Sequence, residues 1–424
     1  MKNNTKNLFN FELLVYALLS ALSVSAIFYL FYNSPVYYTY LISEDHIAEY
    51  GTSVCFGLAG LILLALSFSR GPKVRRVMWM LIGVMALLIA AEEISWGQRI
   101  FNVATPDIIS DHNIQEEITL HNLAAFESVN NSLHSIASYL ILTYLIFSLL
   151  VLTLMPRLEE KFTAIGLPLI QPRLVPVFLL APYFLLFYPT SKSDEIGELF
   201  LGVAVLMWAV DLFLVSRENR RFNSFTSTLI MTGALLLAFG MSVGLANWHE
   251  KDITYRLNLM ASRDYPKQGM YEQAKLIYSY IYQHPQHLNE KTRLNNAKML
   301  QAIGKETEAT ELFLLAARDL EAKQPLKKSN SKQLRLLGIV YLSLMEHTRA
   351  DDYFDKSVEV DQMILTQNTT PDEKAETFWS ISQTMQARGD TKSAITNIEK
   401  AIRYADSPVL RMELEQQLKE LASL

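Results

Sequence analysis

Cysteine is nearly missing from this chain of 424 residues: Cys55 is the single one, set in an apolar run. That excludes an internal disulfide and any zinc site built from several cysteines. Charge is sparse too. Lys, Arg, Asp and Glu make up 19% of the residues, and a formal net charge of −5 carries no nucleic-acid signature. Also missing are the strings that mark common catalytic machinery: a Gly-rich phosphate loop, His-Glu-x-x-His and Gly-x-Ser-x-Gly.

What is present is hydrophobicity, unevenly spread. Half of the residues are hydrophobic, and the long apolar runs stop near residue 248. Seven stretches have the length that crosses a bilayer as a helix: 11–32, 46–69, 77–97, 133–155, 174–190, 195–216 and 225–247. The fifth is short and broken by Pro176, Pro182 and Pro189. In the first, Val24-Ser25-Ala26 resembles a cleavage site, but the apolar run continues to Tyr32, so it reads as an uncleaved anchor. The expectation is an all-α protein. Residues 1–248 form a seven-helix transmembrane bundle, and residues 249–424 form a soluble helical-repeat domain.

Basic residues orient the bundle. Lys2, Lys6, Arg70, Lys73, Arg75, Arg76, Arg157, Lys161, Arg173, Arg217, Arg220 and Arg221 fall on one side of seven spans. Arg99 and Lys192 fall on the other. The basic side is cytoplasmic by this rule. The N-terminus is then inside and the C-terminal domain outside, in the periplasm of a Gram-negative cell. Removing one span from the count moves that domain to the cytoplasm.

Beyond residue 251 the chain shows self-similarity near a period of about 34 residues. The clearest unit, Ala375 to Pro408, carries Phe378-Trp379-Ser380-Ile381, Gly389-Asp390, Ala394, Ile398 and Ala401. Earlier units carry Leu337-Gly338, Tyr341, Ala350, Phe354 and Ser357; Ala297, Leu300, Gly304, Ala309, Phe313 and Ala316; and Gly269, Tyr271, Ala274, Tyr278 and Pro285. These units resemble tetratricopeptide repeats, which implies paired antiparallel helices and a concave surface that binds a protein or peptide partner. Residues 409–424 read as a polar capping helix.

The unusual polar residues of the bundle all fall at its outer face. Span 2 opens with Glu44, Asp45 and Glu49, and span 6 with Asp194, Glu195 and Glu198. Span 3 closes with Glu92, Glu93, Trp96 and Arg99, and His134 stands at the start of span 4. Acids at the starts of spans 2 and 6 suit the helix dipole, with Ser43 and Ser193 as N-caps. Glu92 and Glu93 lie at the wrong end for that. A charge near mid-bilayer costs roughly 2.5–3.5 kcal/mol, so something must compensate. Two candidates remain open. One is Arg99, on the same helical face as Glu92 and Trp96; the other is a divalent metal shared with neighbouring groups. Carboxylates alone suit calcium or magnesium, and His121 or His134 shifts the balance toward zinc or manganese. The candidate metal ligands are Glu49, Glu92, Glu93, His121, His134 and Glu198, with Glu92, Glu93 and His121 as candidate catalytic groups. Glu44, Asp45, Trp96, Arg99, Asn122, Asp194 and Glu195 complete the polar layer. The long 3–4 loop is expected to fold over 113–127 as a short interfacial helix that holds His121 above the acids.

The string Glu92-Glu93-Ile94-Ser95-Trp96-Gly97-Gln98-Arg99, with Asn113-x-Gln115-x-Glu117 and Leu120-His121-Asn122, resembles a group of bacterial polytopic membrane proteins that have no assigned activity. The acidic opening of span 2 fits that group as well. The resemblance covers about 200 residues and implies an inner-membrane protein without naming a reaction.

Three functions compete. In the first, the chain is an envelope scaffold whose repeats recruit a periplasmic protein. In the second, it is a metal-dependent membrane-embedded hydrolase or transferase acting on a lipid or lipid-linked glycan at the outer leaflet. In the third it couples ion transport, for which the spans offer little beyond Asp211 away from the outer layer.

Overall fold

The computed structural model describes residues 2–43, 45–69, 71–98, 103, 105, 124–165, 169–187, 190, 193–216, 224–248, 252–288, 291–322, 331–367 and 369–422. All regular structure among them is helical. They group into two compact units, one drawn from residues up to Thr105 and from Ala125–Arg256, the other from Leu257 onward.

The first unit contains α1 (Lys2–Asn33), α2 (Pro35–Ile42), α3 (Ile47–Ser67), α4 (Lys73–Glu93), α5 (Ala124–Leu154), α6 (Pro156–Ile165), α7 (Pro172–Phe187), α8 (Ser193–Ser216) and α9 (Ser224–Trp248). Six of these, α1, α3, α4, α5, α8 and α9, are long and apolar enough to cross a membrane. That is the pattern of a multi-pass membrane protein. The fifth expected span, 174–190, corresponds to α7, which is shorter. At 1.5 Å per residue it reaches only about 24 Å, less than the ~30 Å hydrocarbon layer. Pro176 and Pro182 lack the N–H that would continue the ladder, so α7 divides into Pro172–Leu174, Val175–Phe178 and Leu180–Phe187.

Lipid supplies no hydrophobic drive between helices, so close backbone approach and polar contacts hold a bundle together. Glycine provides the approach here. A Cβ on Gly60 would lie 2.9 Å from the Gly83 carbonyl, and one on Gly83 would lie 3.0 Å from the Gly60 carbonyl. The α3 and α4 backbones therefore touch at that crossing. On another face of α3, a Cβ on Gly202 of α8 would meet Cys55 at 3.1 Å and the Thr52 carbonyl at 3.3 Å. Helix α3 is thus the centre of the unit: about two thirds of its apolar stretch is buried, against about a fifth for α4 and α9.

Helix α7 is tied at both ends. At its start, Arg173 pairs with Glu12 of α1 at 2.5 Å and with Asp211 of α8. Toward its end, the Ser193 hydroxyl donates to the Phe184 carbonyl at 3.0 Å. Just beyond it, the Thr190 hydroxyl accepts from the Tyr38 phenol at 2.8 Å. Tyr38 lies on α2, packed edge-on against Phe31 near the end of α1 with ring centroids 5.1 Å apart. One end of α7 therefore lies beside the start of α1, and the other beside its end.

The second unit is a series of helix pairs. After residues Tyr265–Lys267 come α10 (Tyr271–Gln283), α11 (Thr292–Ala302), α12 (Glu306–Ala322), α13 (Ser331–Ser343), α14 (His347–Leu365), α15 (Pro371–Arg388), α16 (Thr391–Tyr404) and α17 (Pro408–Ala422). One turn recurs four times. Gly269, Gly304, Met345 and Gly389 each adopt left-handed backbone after a helix. In each case the next N–H reaches back five residues, as from Lys305 to the Leu300 carbonyl and from Asp390 to the Met385 carbonyl, both at 2.9 Å. These are Schellman caps, which satisfy the last carbonyls of one helix and reverse the chain into the next. The last pair is capped fully. Thr370 and Glu373 form a reciprocal capping box at the start of α15, and Asp390 accepts from the Ser393 N–H at 3.0 Å at the start of α16. The pairs α11–α12, α13–α14 and α15–α16 start at Thr292, Ser331 and Pro371, a spacing wider than 34 residues. Part of the excess is in the second helices, α12 and α14, which run to 17 and 19 residues.

Small residues let these paired helices approach, and large ones fill the gaps. Ala297, Ala309, Ala350, Ala375, Ala394 and Ala401 are buried, as are Phe313, Phe354 and Ile398. Each of those larger side chains contributes about 1.5–3 kcal/mol by leaving water. A buried polar network crosses from pair to pair. The hydroxyls of Ser357 on α14 and Thr384 on α15 share a hydrogen bond at 3.2 Å, and Arg335 of α13 donates to the Ser380 carbonyl of α15 at 3.0 Å. Asp361, 1% exposed, faces Ser331, Ser380 and Arg335. Burial raises its carboxyl above the usual range, and those two hydroxyls and the guanidinium pull it partly back.

Candidate functional site

The acidic layer forms where α3 begins, α4 ends and α8 begins. Cross-helix contacts set the common level. The Ser53 hydroxyl donates to the Ala90 carbonyl at 2.7 Å. Glu49 is one turn before Ser53, and Glu93 one turn after Ala90. Gly202 packs on Thr52 and Cys55, and Glu198 is one turn before Gly202. As a result Glu93 is the meeting point. Among the described residues, the charges acting most strongly on its carboxylate are those of Glu198, Glu49, Glu195 and Glu92, in that order.

Glu49 also has a local job. Asp45 is left-handed, with φ 58°, and its N–H donates to the Glu49 carboxylate at 2.5 Å. His46 is the N-cap of α3 and is buried edge-on against Tyr40, ring centroids 5.7 Å apart. The Glu49 carboxylate therefore also closes the start of α3, where negative charge suits the dipole. Two expected caps are corrected. The Ser43 hydroxyl donates to the Thr39 carbonyl at 2.6 Å, at the end of α2. The Ser193 hydroxyl is turned to Phe184 and thus ties α8 to α7. A serine followed by acids reads as an N-cap in sequence, but each hydroxyl goes to the carbonyl that tertiary packing brings nearest. Asp194 and Glu195 lie in the first turn of α8, as expected.

Glu92 and Glu93, adjacent in sequence, diverge by about 100° around the helix. Glu92 accepts from the Trp96 indole N–H at 2.9 Å, on the exposed side. Past α4 the backbone is left-handed at three successive residues: Ser95 (φ 49°), Trp96 (φ 56°) and Gly97 (φ 76°). Gly97 adopts this freely, whereas Ser95 and Trp96 cost roughly 1–2 kcal/mol each. The turn is closed by Gly97 N–H to the Ile94 carbonyl at 2.8 Å and Gln98 N–H to the Ser95 carbonyl at 2.9 Å. The Gln98 side chain donates to the Thr105 hydroxyl. Ser95 is buried while Trp96 is 49% exposed. The turn therefore swings the indole outward to meet Glu92.

Glu44, Arg99, His121 and Asn122 lie outside the described residues, as does most of the helix expected over 113–127. His134 lies on α5, but its side chain is outside the described set. Among the described residues, no group of three or more His, Cys, Asp or Glu side chains is arranged to hold a metal ion.

Sequence reasoning missed a second ionisable cluster. Arg173 bridges Glu12 and Asp211, both less than 5% exposed. The available signals were an aspartate inside a span and an arginine opening a proline-broken segment; nothing in the sequence paired them. Compared with known proteins, the chain matches no family model and no curated protein.

Proposed function

We propose that this is a seven-crossing protein of a bacterial inner membrane that serves as an envelope scaffold, with an acidic site at the outer face and a tetratricopeptide-like domain that recruits a periplasmic protein. The tying of α7 at both ends carries this reading. Arg173 beside Glu12 and Thr190 beside Tyr38 bracket the length of α1. Phe184 beside Ser193 and Arg173 beside Asp211 bracket α8. A segment that starts and finishes with two spanning helices crosses with them, despite its prolines, because it is shielded from lipid by protein. Charge supports the same count: without that crossing, Arg217, Arg220 and Arg221 would lie opposite Lys2 and Lys6. Seven crossings put the two termini on opposite sides. The four recurring Schellman turns support the repeat reading, and such repeats bind partners along a concave face. The resemblance of the Glu-Glu-Ile-Ser-Trp-Gly-Gln string to bacterial polytopic proteins agrees with the inner membrane.

Reporter fusions at the C-terminus test the topology. An alkaline phosphatase fusion is expected to be active, and a cytoplasm-only fluorescent fusion dark; the reverse pair overturns it. For the scaffold role, deletion of 257–424 is expected to abolish complementation in cells that need the protein, while Glu92→Gln and Glu93→Gln complement. A second reading, a metal-dependent hydrolase or transferase on a lipid or lipid-linked glycan, is favoured by the convergence of acids on Glu93. It requires stoichiometric divalent metal in the purified protein and stability that falls on chelation.

A further inference from the structure

Where α5 ends and α6 begins, Leu154, Met155, Arg157, Leu158 and Lys161 line an open cavity of about 410 Å³. Its lining combines two cations with three apolar side chains. Leu154 is 69% exposed and Met155 48%, open to an acyl chain as other apolar side chains of α5 are. Arg157 and Lys161 are one turn apart on α6 and share a face. Neither makes a hydrogen bond or ion pair among the described residues. Glu159 and Glu160 do not line the cavity. Leu158, Phe162 and Ile165 recur at helical spacing, and Phe162 packs edge-on against Phe147 of α5, ring centroids 5.4 Å apart. That contact folds α6 back on α5 and fixes the elbow. The elbow follows directly on Ser135–Leu154, the membrane-crossing stretch of α5, so it lies at the depth where acyl chains give way to headgroups.

We propose that this elbow binds an anionic phospholipid. Arg157 and Lys161 hold the phosphate, the guanidinium by paired hydrogen bonds and the ammonium as a point charge. One acyl chain covers Leu154, Met155 and Leu158. Basic residues next to membrane helices, and basic pockets between them, recognise acidic headgroups in this way. The proposal rests on the multi-pass reading alone and not on which side of the membrane the elbow faces.

The test uses the full chain in detergent, with phosphatidylglycerol, phosphatidylcholine and inorganic phosphate as probes, read by native mass spectrometry and by thermal shift. Phosphatidylglycerol is expected to be retained and to raise the melting temperature, and phosphatidylcholine to do neither. The double variant Arg157→Gln/Lys161→Gln is expected to raise the phosphatidylglycerol Kd roughly thirtyfold, the combined effect of two interfacial cations. Should that variant fold poorly, a salt titration of the wild-type protein serves instead: retention must weaken from 50 to 500 mM NaCl. Equal retention of both lipids, salt-independent retention, or an unchanged Kd in the variant overturns the proposal. A thermal shift reproduced by inorganic phosphate alone overturns the lipid as its source. The C-terminal reporter fusions report on topology independently, so failure of one reading is separable from failure of the other.

Discussion

Ionisable residues of the membrane unit gather at two levels, and the two are built on different principles. At one, two buried carboxylates, Glu12 and Asp211, share a guanidinium. At the other, Glu93 meets four carboxylates, with Glu198 foremost. The first is a fastener: opposite charges in a low-dielectric interior hold three chain segments together, and the cost of burying them is offset only while all three stay in place. The second gathers carboxylates around one acid. Like charges gathered at helix ends are what a cation-binding or proton-binding site is built from.

The comparison breaks most visibly at Arg173. Arg173→Gln strands two buried carboxylates and is expected to cost about 3–5 kcal/mol, seen as collapse of the monodisperse peak in detergent. Adding Glu12→Gln and Asp211→Asn should restore most of it. A mild effect of Arg173→Gln would mean that the level is not a fastener.

Next in size is the α3–α4 crossing that brings Glu49 toward Glu93. Gly83→Val puts atoms within about 3 Å of the Gly60 carbonyl and is expected to cost about 1–3 kcal/mol, measured as a lower melting temperature. At the acidic level, Glu93→Gln should go the other way, stabilising the apoprotein by about 1 kcal/mol at neutral pH because an amide needs neither a proton nor a cation beside the other acids. If Glu93→Gln instead destabilises as Arg173→Gln does, a cation is already bound there.

The smallest effect lies in the second unit, at a buried acid held by two hydroxyls and a guanidinium. Burial raises the folded-state pKa of Asp361 above its unfolded value. The associated stability is therefore fully present below the unfolded pKa, near 3.9, and is lost as pH rises through the raised folded value. Asp361→Asn removes that titration. Hydrogen exchange across α13–α15 should show the variant more protected than wild type at pH 7, by about 1 kcal/mol or less, with the gap closing toward pH 4. A gap that grows in acid would reverse the assigned direction.

Much of the fold could be read from sequence because it depends on local periodicity. Long apolar runs become α1, α3, α4, α5, α8 and α9, and Gly269, Gly304 and Gly389 mark three of the four Schellman turns. Met345 was not readable as the fourth, since a methionine carries no signal for left-handed backbone. At the candidate site, the helix ends that bear Glu49, Glu93, Glu195 and Glu198 were visible, but their convergence was not. It depends on Gly60 meeting Gly83, Gly202 meeting Thr52 and Ser53 meeting Ala90, contacts between positions far apart in the chain.

The sequence alone determined composition-level and short-range properties: a helical chain, a first part rich in long apolar runs, a second part without them, and acids at particular helix ends. These follow from which residues a bilayer or water tolerates and from spacings of three or four residues. Only the tertiary structure decided the partners. It turned Ser193 from a cap into a tie, joined Arg173 to Glu12 and Asp211, and made Glu93 the focus of the acids. The physical reason is that charge and hydrogen bonding act through space over a few ångströms, and sequence spacing does not encode which helices come that close.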